Sequence, residues 1–334
     1  MASEKLVERD GIGVNRETLR QWLLAVGLWA KRRQRRDHRQ WRLRKECCGA
    51  MVQLDGSHHA WLEDRGPRLV LMGYIDDATN NVYGRFYDYE GTMPAMDSFK
   101  RYVRKYGFPL SVYLDKHTTY KSHRRLTVEE ELDGMSQPMS RFERALHELG
   151  VKVIHAHSPQ AKGRVERLFG TLQDRLVKEM RLRGIKTRAE ANAFLGEYLP
   201  KYNQRFRVTP ANKADVHVKP ERYFNLDRYL CLKTKRTVRN DNTVAHKSKL
   251  CQITEPVLSR TVMVEERLNG SVHVISSSGV SLKYREITRR PPKATPPERF
   301  RNPGTPGIPA RDHPWRRSLN LKSMARKNMT QLTK

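Results

Sequence analysis

The sequence predicts a mixed α/β core between a pair of N-terminal helices and a small β module, followed by a basic tail. Three observations lead there. From about residue 49, short apolar runs alternate with amphipathic segments; from 229 to 288, β-branched stretches are punctuated by Asn240-Asp241-Asn242 and Asn269-Gly270; after Thr288, 46 residues hold eight of the 17 prolines. The first pattern marks a sheet with helices and the second marks hairpins. The third is too poor in apolar side chains to pack and is expected to be largely disordered.

The elements follow in order. Residues 1 to 28 read as two helices separated by Gly11-Ile-Gly13, with Asn15 as an N-cap, Leu19, Trp22, Leu23 and Val26 at helical spacing, and Gly27 as a stop. The opposite face carries Arg16, Arg20 and Gln21, side chains suited to base edges in a major groove, so a helix-turn-helix and a plain helical hairpin both fit. Lys31 to Lys45 holds nine basic residues and one acid, with Arg32, Arg33, Arg35 and Arg36 at its head. Such a run repels itself unless something anionic neutralises it, which favours contact with phosphate over a merely solvated face. Strands are expected at Val52–Asp55, Leu69–Asp76, Val82–Tyr89, Leu110–Leu114 and Val151–Ala156, with helices at Met93–Tyr106, Arg141–Leu149, near Ala161 to Arg183, and Arg188–Tyr202. The order is β-β-β-α-β-α-β-α. Between Lys116 and Met139 the chain is polar and aperiodic, an insertion expected to be mobile or functional. Residues 226–288 are expected to close a small β-barrel.

Composition narrows the partners. With 65 Lys and Arg against 36 acids the formal net charge is +29, which points to a polyanion whose counterions are released on binding. No apolar run approaches the length of a spanning helix and no signal pattern precedes residue 50, so no membrane partner and a cytoplasmic, nucleoid-associated location are expected. The four cysteines contain no CxxC pair; reduced thiols and no structural zinc are expected.

Three acids stand out in this basic chain. In Val52-Gln-Leu-Asp55 the period of two places Gln53 and Asp55 on one face, and Gly56 is expected to turn the backbone away and leave the carboxylate at an open strand end. Asp115 repeats the situation after Ser111-Val-Tyr-Leu114. Glu166 lies at the edge of a helical stripe formed by Val165, Leu168, Phe169, Leu172, Leu176 and Met180, with Lys162 one turn before it and Arg164 and Arg167 beside it. Taken singly, the aspartates would serve as turn initiators and Lys162–Glu166 as a surface i,i+4 pair. Together, at matching positions in an α/β chain, they point to a divalent cation held against a nucleic-acid phosphate. Asp76, Asp77, Asp88, Glu90, His58 and His59 are better explained by turns and surface positions and stay outside the catalytic set.

At these residues the chain resembles the DDE transposases of bacterial insertion sequences with a retroviral-integrase-type catalytic core, the ISNCY-like group above all. The resemblance spans about residues 14 to 318, through Gln53-Leu-Asp55-Gly-Ser, Tyr113-Leu-Asp115-Lys-His and the highly specific Ser158-Pro-Gln-Ala-Lys-Gly-Arg-Val-Glu166-Arg, with Tyr202-Asn203, Thr209-Pro210 and His313-Pro-Trp-Arg316 as further points. It implies an RNase H-like core with a mixed five-stranded sheet, Asp55, Asp115 and Glu166 as a metal triad, two Mg²⁺ or Mn²⁺ ions during catalysis, and Lys162 near the transposon-end DNA. The domains expected are 1–45, a core at 46–225 with the insertion at 116–139, a β module at 226–288 and a tail at 289–334. Implied partners are double-stranded DNA, at transposon ends and target, and further copies of the chain. Lys162, Arg164 and Arg167 would meet the strand entering the site; Arg16, Arg20 and Gln21 would read bases; Arg32, Arg33, Arg35 and Arg36 would meet phosphates.

Two departures are visible. The interval from Asp115 to Glu166 is wider than usual in the family, and Lys116-His117 stand where Asn-Gly commonly follows the second acid. The family also usually carries more helical sequence ahead of the stretch matching residue 1, so a shortened end-recognition domain is expected. A DNA-binding protein without catalysis and an RNase H-like nuclease acting on RNA or a hybrid remain open readings. The charge alone yields a testable outcome: affinity for duplex DNA falls steeply and linearly in a log–log plot against salt, and a flat response in a gel-shift series contradicts the electrostatic account.

Overall fold

Apolar residues over Val52–Leu54, Leu69–Ile75 and Val82–Phe86 build an antiparallel meander of β1 (Val52–His59), β2 (Leu69–Asp76) and β3 (Val82–Tyr87), the middle strand buried along its whole length. β4 (Ser111–Leu114) and β5 (Lys152–His155) join the other side of β1 in parallel, giving one mixed sheet of order β3-β2-β1-β4-β5. The structure is a computed structural model that describes residues 2–29, 43–115, 119–122, 124–126, 128–132, 137–155, 163–257 and 259–288. These fall in the unit Met1–Glu286, apart from Ile287 and Thr288 at the start of a second unit, Ile287–Lys334. The basic run from Lys31 to Arg42, with Arg32, Arg33, Arg35 and Arg36, lies outside the described residues, as do Lys162 and the tail from 289 onward.

The period of two sorts the sheet's side chains onto two cores. Val52, Leu54, Met72, Tyr74, Val112 and Leu114 face α3 (Thr92–Tyr106) and α5 (Arg141–Glu148), which follows the short helix α4 (Val128–Leu132); Leu69, Leu71, Ile75, Val82 and Phe86 face α6 (Gly163–Leu182) and α7 (Arg188–Phe206). Each fully buried Leu or Phe in these layers contributes roughly 1.5–3 kcal/mol. Capping boxes at Ser140–Glu143 and Thr187–Glu190 set the starts of α5 and α7.

Three sequence expectations change. β1 does not stop at Asp55 but runs on to His59, with Gly56 inside the strand. The reason is its partner: β2 stays paired along the whole length, from Val52–Asp76 to His59–Leu69. α7 runs past Tyr202 to Phe206, because Asn203 clamps its last turn to β3 and Tyr198, Tyr202 and Phe206 stack along it at 6.0 and 4.6 Å between ring centroids. The insertion is anchored too: Tyr120 is buried in the α3–α5 core against Phe142.

α7 also closes the sheet's edge. Asn203 donates to the Val82 carbonyl and accepts from its amide, both at 2.8 Å, and Asn192 does the same at Phe86, at 3.1 and 2.9 Å. Each amide side chain imitates a neighbouring strand along the face that β3 would otherwise leave open.

The N-terminal residues form α1 (Ala2–Asp10) and α2 (Arg16–Ala25), the latter capped by Asn15, whose side chain accepts from the Glu17 amide at 2.8 Å. Neither helix buries a residue, and Trp22, Val26 and Leu28 stay exposed. α1 is held by charge, through Glu4 on Arg175 and Arg205 and Lys5 on Glu179. Hydrogen bonding from Arg175, above all, draws the Glu4 carboxyl down to about 2. A depressed carboxyl keeps its stabilising contact above the usual carboxylate range and loses it only as the pH falls toward that value.

The C-terminal strands do not close a barrel. β6 (Cys231–Thr237), β9 (Thr261–Arg267), β10 (Val272–Ile275) and β11 (Ser281–Leu282) form one sheet, and β7 (Thr243–His246), β8 (Lys249–Ile253) and β12 (Tyr284–Ile287) another. β6 pairs with β9 and β7 with β8, so the two sheets stay separate ladders around Val244, Ile253, Val262, Val264 and Val274.

Substituting Asn203→Ala leaves the Val82 amide and carbonyl without this partner. We expect a loss of about 1–3 kcal/mol in denaturant unfolding; an unchanged midpoint contradicts the clamp.

Candidate metal centre

The parallel pairing of β1 with β4 matches Val52 to Val112 and Gln53 to Tyr113. Continued by two residues, that register sets Asp55 level with Asp115. Alternation keeps both on the face of Gln53 and Tyr113, opposite the buried Leu54 and Leu114. Past Gln53 and Tyr113 the two strands are no longer paired, β4 ends at Leu114, and the sheet opens beside Asp55. The opening the sequence placed at the end of β1 is therefore an opening between β1 and β4.

α6 crosses this face along β1. Its Val165 amide donates to the Gln53 side chain at 3.3 Å, and Gln173 donates to Ser57 Oγ at 3.2 Å. Glu166, Gly170 and Gln173 follow one another at i, i+4 and i+7, so the exposed Glu166 in the first turn lies on the side of the helix that reaches Ser57. Asp55 is half-buried between Gln53 and Ser57, and its Oδ1 accepts from the Gly56 amide at 3.0 Å.

The height of α6 over the sheet is set by a glycine. Gly73 pairs with Asp55, and a Cβ there would lie 2.6 Å from Phe169 of α6. The missing side chain lets the Phe169 ring rest on the sheet beside Asp55.

On the other face a second glycine has a different role from the turn expected of it. Gly56 makes room for Glu90, whose carboxylate would stand 2.5 Å from a Cβ at that position. Glu90 meets His58 Nε2 at 2.8 Å and lies near the buried Tyr120, whose hydroxyl is raised well above its usual range, first by burial and then by the charge of Glu90, with Asp55 contributing. This trio was not legible as a unit, because Glu90 follows β3 and Tyr120 sits in a polar insertion. The lone aromatic in Thr119-Tyr120-Lys121 was the available signal.

Of the candidate DNA contacts, Arg16, Gln21 and Arg167 are exposed. Arg20 turns back onto Glu17 and lies 5.5 Å from the Trp29 ring. Arg164 points inward, 2.7 Å from the fully buried Asp77, which also accepts from Gln53 and from the Lys45 amide. Asp77 thereby ties the start of α6 to β1 and to the end of the basic run. Asp76 behaves as the turn residue expected, accepting from Thr79 and the Gly49 amide. Among the described residues, the group of three metal-ligating side chains with donor atoms all within 4.8 Å of one another is Cys48, Asp215 and His217; the three acids are not gathered that tightly.

No protein-family model matches the chain. It is 39% identical over 295 residues to y4bF of Sinorhizobium fredii, a protein named as a transposase, covering 85% of this chain and 62% of that one. It is 36% identical over 178 residues to the transposase for insertion sequence IS1202 of Streptococcus pneumoniae, covering 53% of this chain and 36% of that one. The chain thus spans less than two thirds of either protein. Similar solved structures include the simian T-cell lymphotropic virus intasome in complex with the PP2A regulatory subunit B56 gamma, 15% identical over 77% of this chain and 85% of that one, with a TM-score of 0.42. The HTLV-2 integrase catalytic core in complex with magnesium is 17% identical over 50% of this chain and 94% of that one, with a TM-score of 0.36. Those scores are too low to bear on the fold, which rests on the strand order itself.

Gly73→Ala forces the Phe169 ring, and α6 with it, away from the sheet. We expect it to cost about 1–3 kcal/mol in thermal unfolding and to be partly rescued by Phe169→Leu; full stability in the single variant contradicts the contact. By sequence, the chain is similar to proteins named as transposases, one of them the transposase of an insertion sequence.

Proposed function

We propose that this chain is a DNA transposase with an RNase H-like core, cutting the ends of a mobile element and joining them to target DNA. The observation that carries the reading is the parallel register that matches Gln53 to Tyr113, two residues ahead of Asp55 and Asp115 in each strand, with the first turn of α6 bound over Gln53. The relatives named as transposases support it.

Asp55, Asp115 and Glu166 would hold the metal. All three offer carboxylate oxygen, the hard ligand that Mg²⁺ and Mn²⁺ take, and Mg²⁺ commonly binds through one or two carboxylates, completing its shell with water and phosphate oxygens. That donor set fits divalent cations of this kind. When bound, they would activate the attacking water or DNA 3′-hydroxyl and neutralise charge on the leaving 3′-oxygen during in-line displacement.

The chain's own residues position and bind. Gln53, Arg164 and Asp77 fix where α6 begins, and so where Glu166 stands. Gly73 and Phe169 fix its height. Glu90, held by His58, sets a further carboxyl group under the Asp55–Gly56 backbone. Arg167 and Lys162 would draw DNA phosphate to the mouth of the site, and Arg16, Arg20 and Gln21 would meet bases, with Arg20 first leaving Glu17. The basic run at 31–45 and the tail would add sequence-independent affinity. Joining paired ends calls for more than one copy of the chain on DNA.

Asp115→Asn is expected to abolish both end cleavage and strand transfer on the element's own terminal DNA while leaving gel-shift affinity within a few-fold. Retained strand transfer would sink the assignment of Asp115, and equal cleavage of an RNA–DNA hybrid would move the reading to a nuclease.

A further inference from the structure

A second donor cluster lies where the chain enters the core and where it leaves. Cys48 immediately precedes β1, and Asp215 and His217 follow α7 by some ten residues. The two segments are laced together: Asn212 donates to the Glu46 carbonyl, Val216 to the Cys48 carbonyl at 2.9 Å, and Phe108 and Val218 exchange both backbone bonds at 2.8 and 2.9 Å. In the extended stretch Asp215-Val-His217 the period of two puts carboxylate and imidazole on one side, facing Cys48 across a parallel bridge between Cys48 and Asp215.

We propose that Cys48 Sγ, an Asp215 carboxylate oxygen and His217 Nδ1 bind a Zn²⁺ ion that staples the entry of the core to its exit, with water in the fourth position. The three donor atoms already lie within 4.8 Å of one another. The His217 side chain is 3% exposed and its ring is pressed on Gly49, where a Cβ would stand 2.5 Å from Nδ1, so the imidazole has little room to turn elsewhere. Its Nε2 is engaged at 2.8 Å by the Tyr102 hydroxyl, the outer partner that orients a ligating histidine, while Nδ1 faces Asp215. The Asp215 side chain is 59% exposed and leaves the fourth position open to solvent.

Burial first, then Asp76 and Asp215, push the Cys48 thiol up to about 12, so the metal-free side chain is a neutral thiol. Binding would release the Cys48 thiol proton to solvent and shift the His217 proton from Nδ1 to Nε2 by exchange with solvent, so that Nε2–H donates to the Tyr102 hydroxyl while Nδ1 and Asp215 turn from each other to the metal, with no change of oxidation state. One sulfur, one nitrogen and one oxygen suit borderline-soft Zn²⁺ better than Mg²⁺. This revises the expectation of no structural zinc, which rested on short cysteine spacings; here the ligands come from distant parts of the chain.

The test uses the full chain, stripped of metal and titrated with Co²⁺ in excess Mg²⁺, which occupies the all-carboxylate site. A near-ultraviolet thiolate-to-cobalt charge-transfer band is expected, reaching its plateau at one Co²⁺ per chain and bleached by Zn²⁺. Cys48→Ser should lose the band and Cys47→Ser should keep it. If Cys48→Ser does not fold, Asp215→Asn, altered at an exposed side chain, decides by weaker Co²⁺ binding with unchanged circular dichroism. No thiolate band in the wild type, a band that survives Cys48→Ser, or unaltered affinity in Asp215→Asn overturns the proposal.

Discussion

The candidate centre depends on how closely α6 lies against β1 and β2. Two small features permit it: the absent side chain at Gly73, which admits the Phe169 ring, and the Gln53 side chain, which receives the Val165 amide at the start of the helix. Neither is a metal ligand, yet together they place Glu166 relative to the two aspartates. Packed interiors yield little to an extra methyl group, so the position of the third acid is inherited from the packing of residues that do no chemistry.

The buried Arg164–Asp77 pair belongs to the same scaffold. A fully buried carboxylate is costly unless it is neutralised and hydrogen-bonded, and Asp77 is satisfied by Arg164, Gln53 and the Lys45 amide. Removing the arginine would strand a charge at the junction of α6, β1 and the basic run. An arginine that looks ready for DNA in the sequence is thus committed to the fold, while its neighbour Arg167 stays on the surface.

Much of this was legible in the sequence, and for physical reasons. The short apolar runs at Val52–Leu54 and Leu69–Ile75 and the helical stripe from Val165 to Met180 come from burial, which writes directly into the order of residues. What could not be read depends on partners distant in the chain. The continuation of β1 to His59 is fixed by β2, the extension of α7 to Phe206 by Val82, and the separation of the C-terminal strands into two sheets by which strand pairs with which. At the candidate site, the three acids stand out in the sequence by type and position. The supporting Gly73–Phe169 contact and the Glu90–His58–Tyr120 group do not, because a glycine in a strand and a tyrosine in a polar loop have many uses.

The central claim is that Asp55, Asp115 and Glu166 share one metal site. Anomalous difference density from Mn²⁺ diffused into crystals of the protein bound to its terminal DNA tests it most directly. The account predicts a peak bridging the Asp55 and Asp115 carboxylates, with Glu166 at the same or an adjacent ion. Manganese bound elsewhere, with these three acids uncoordinated, would contradict it.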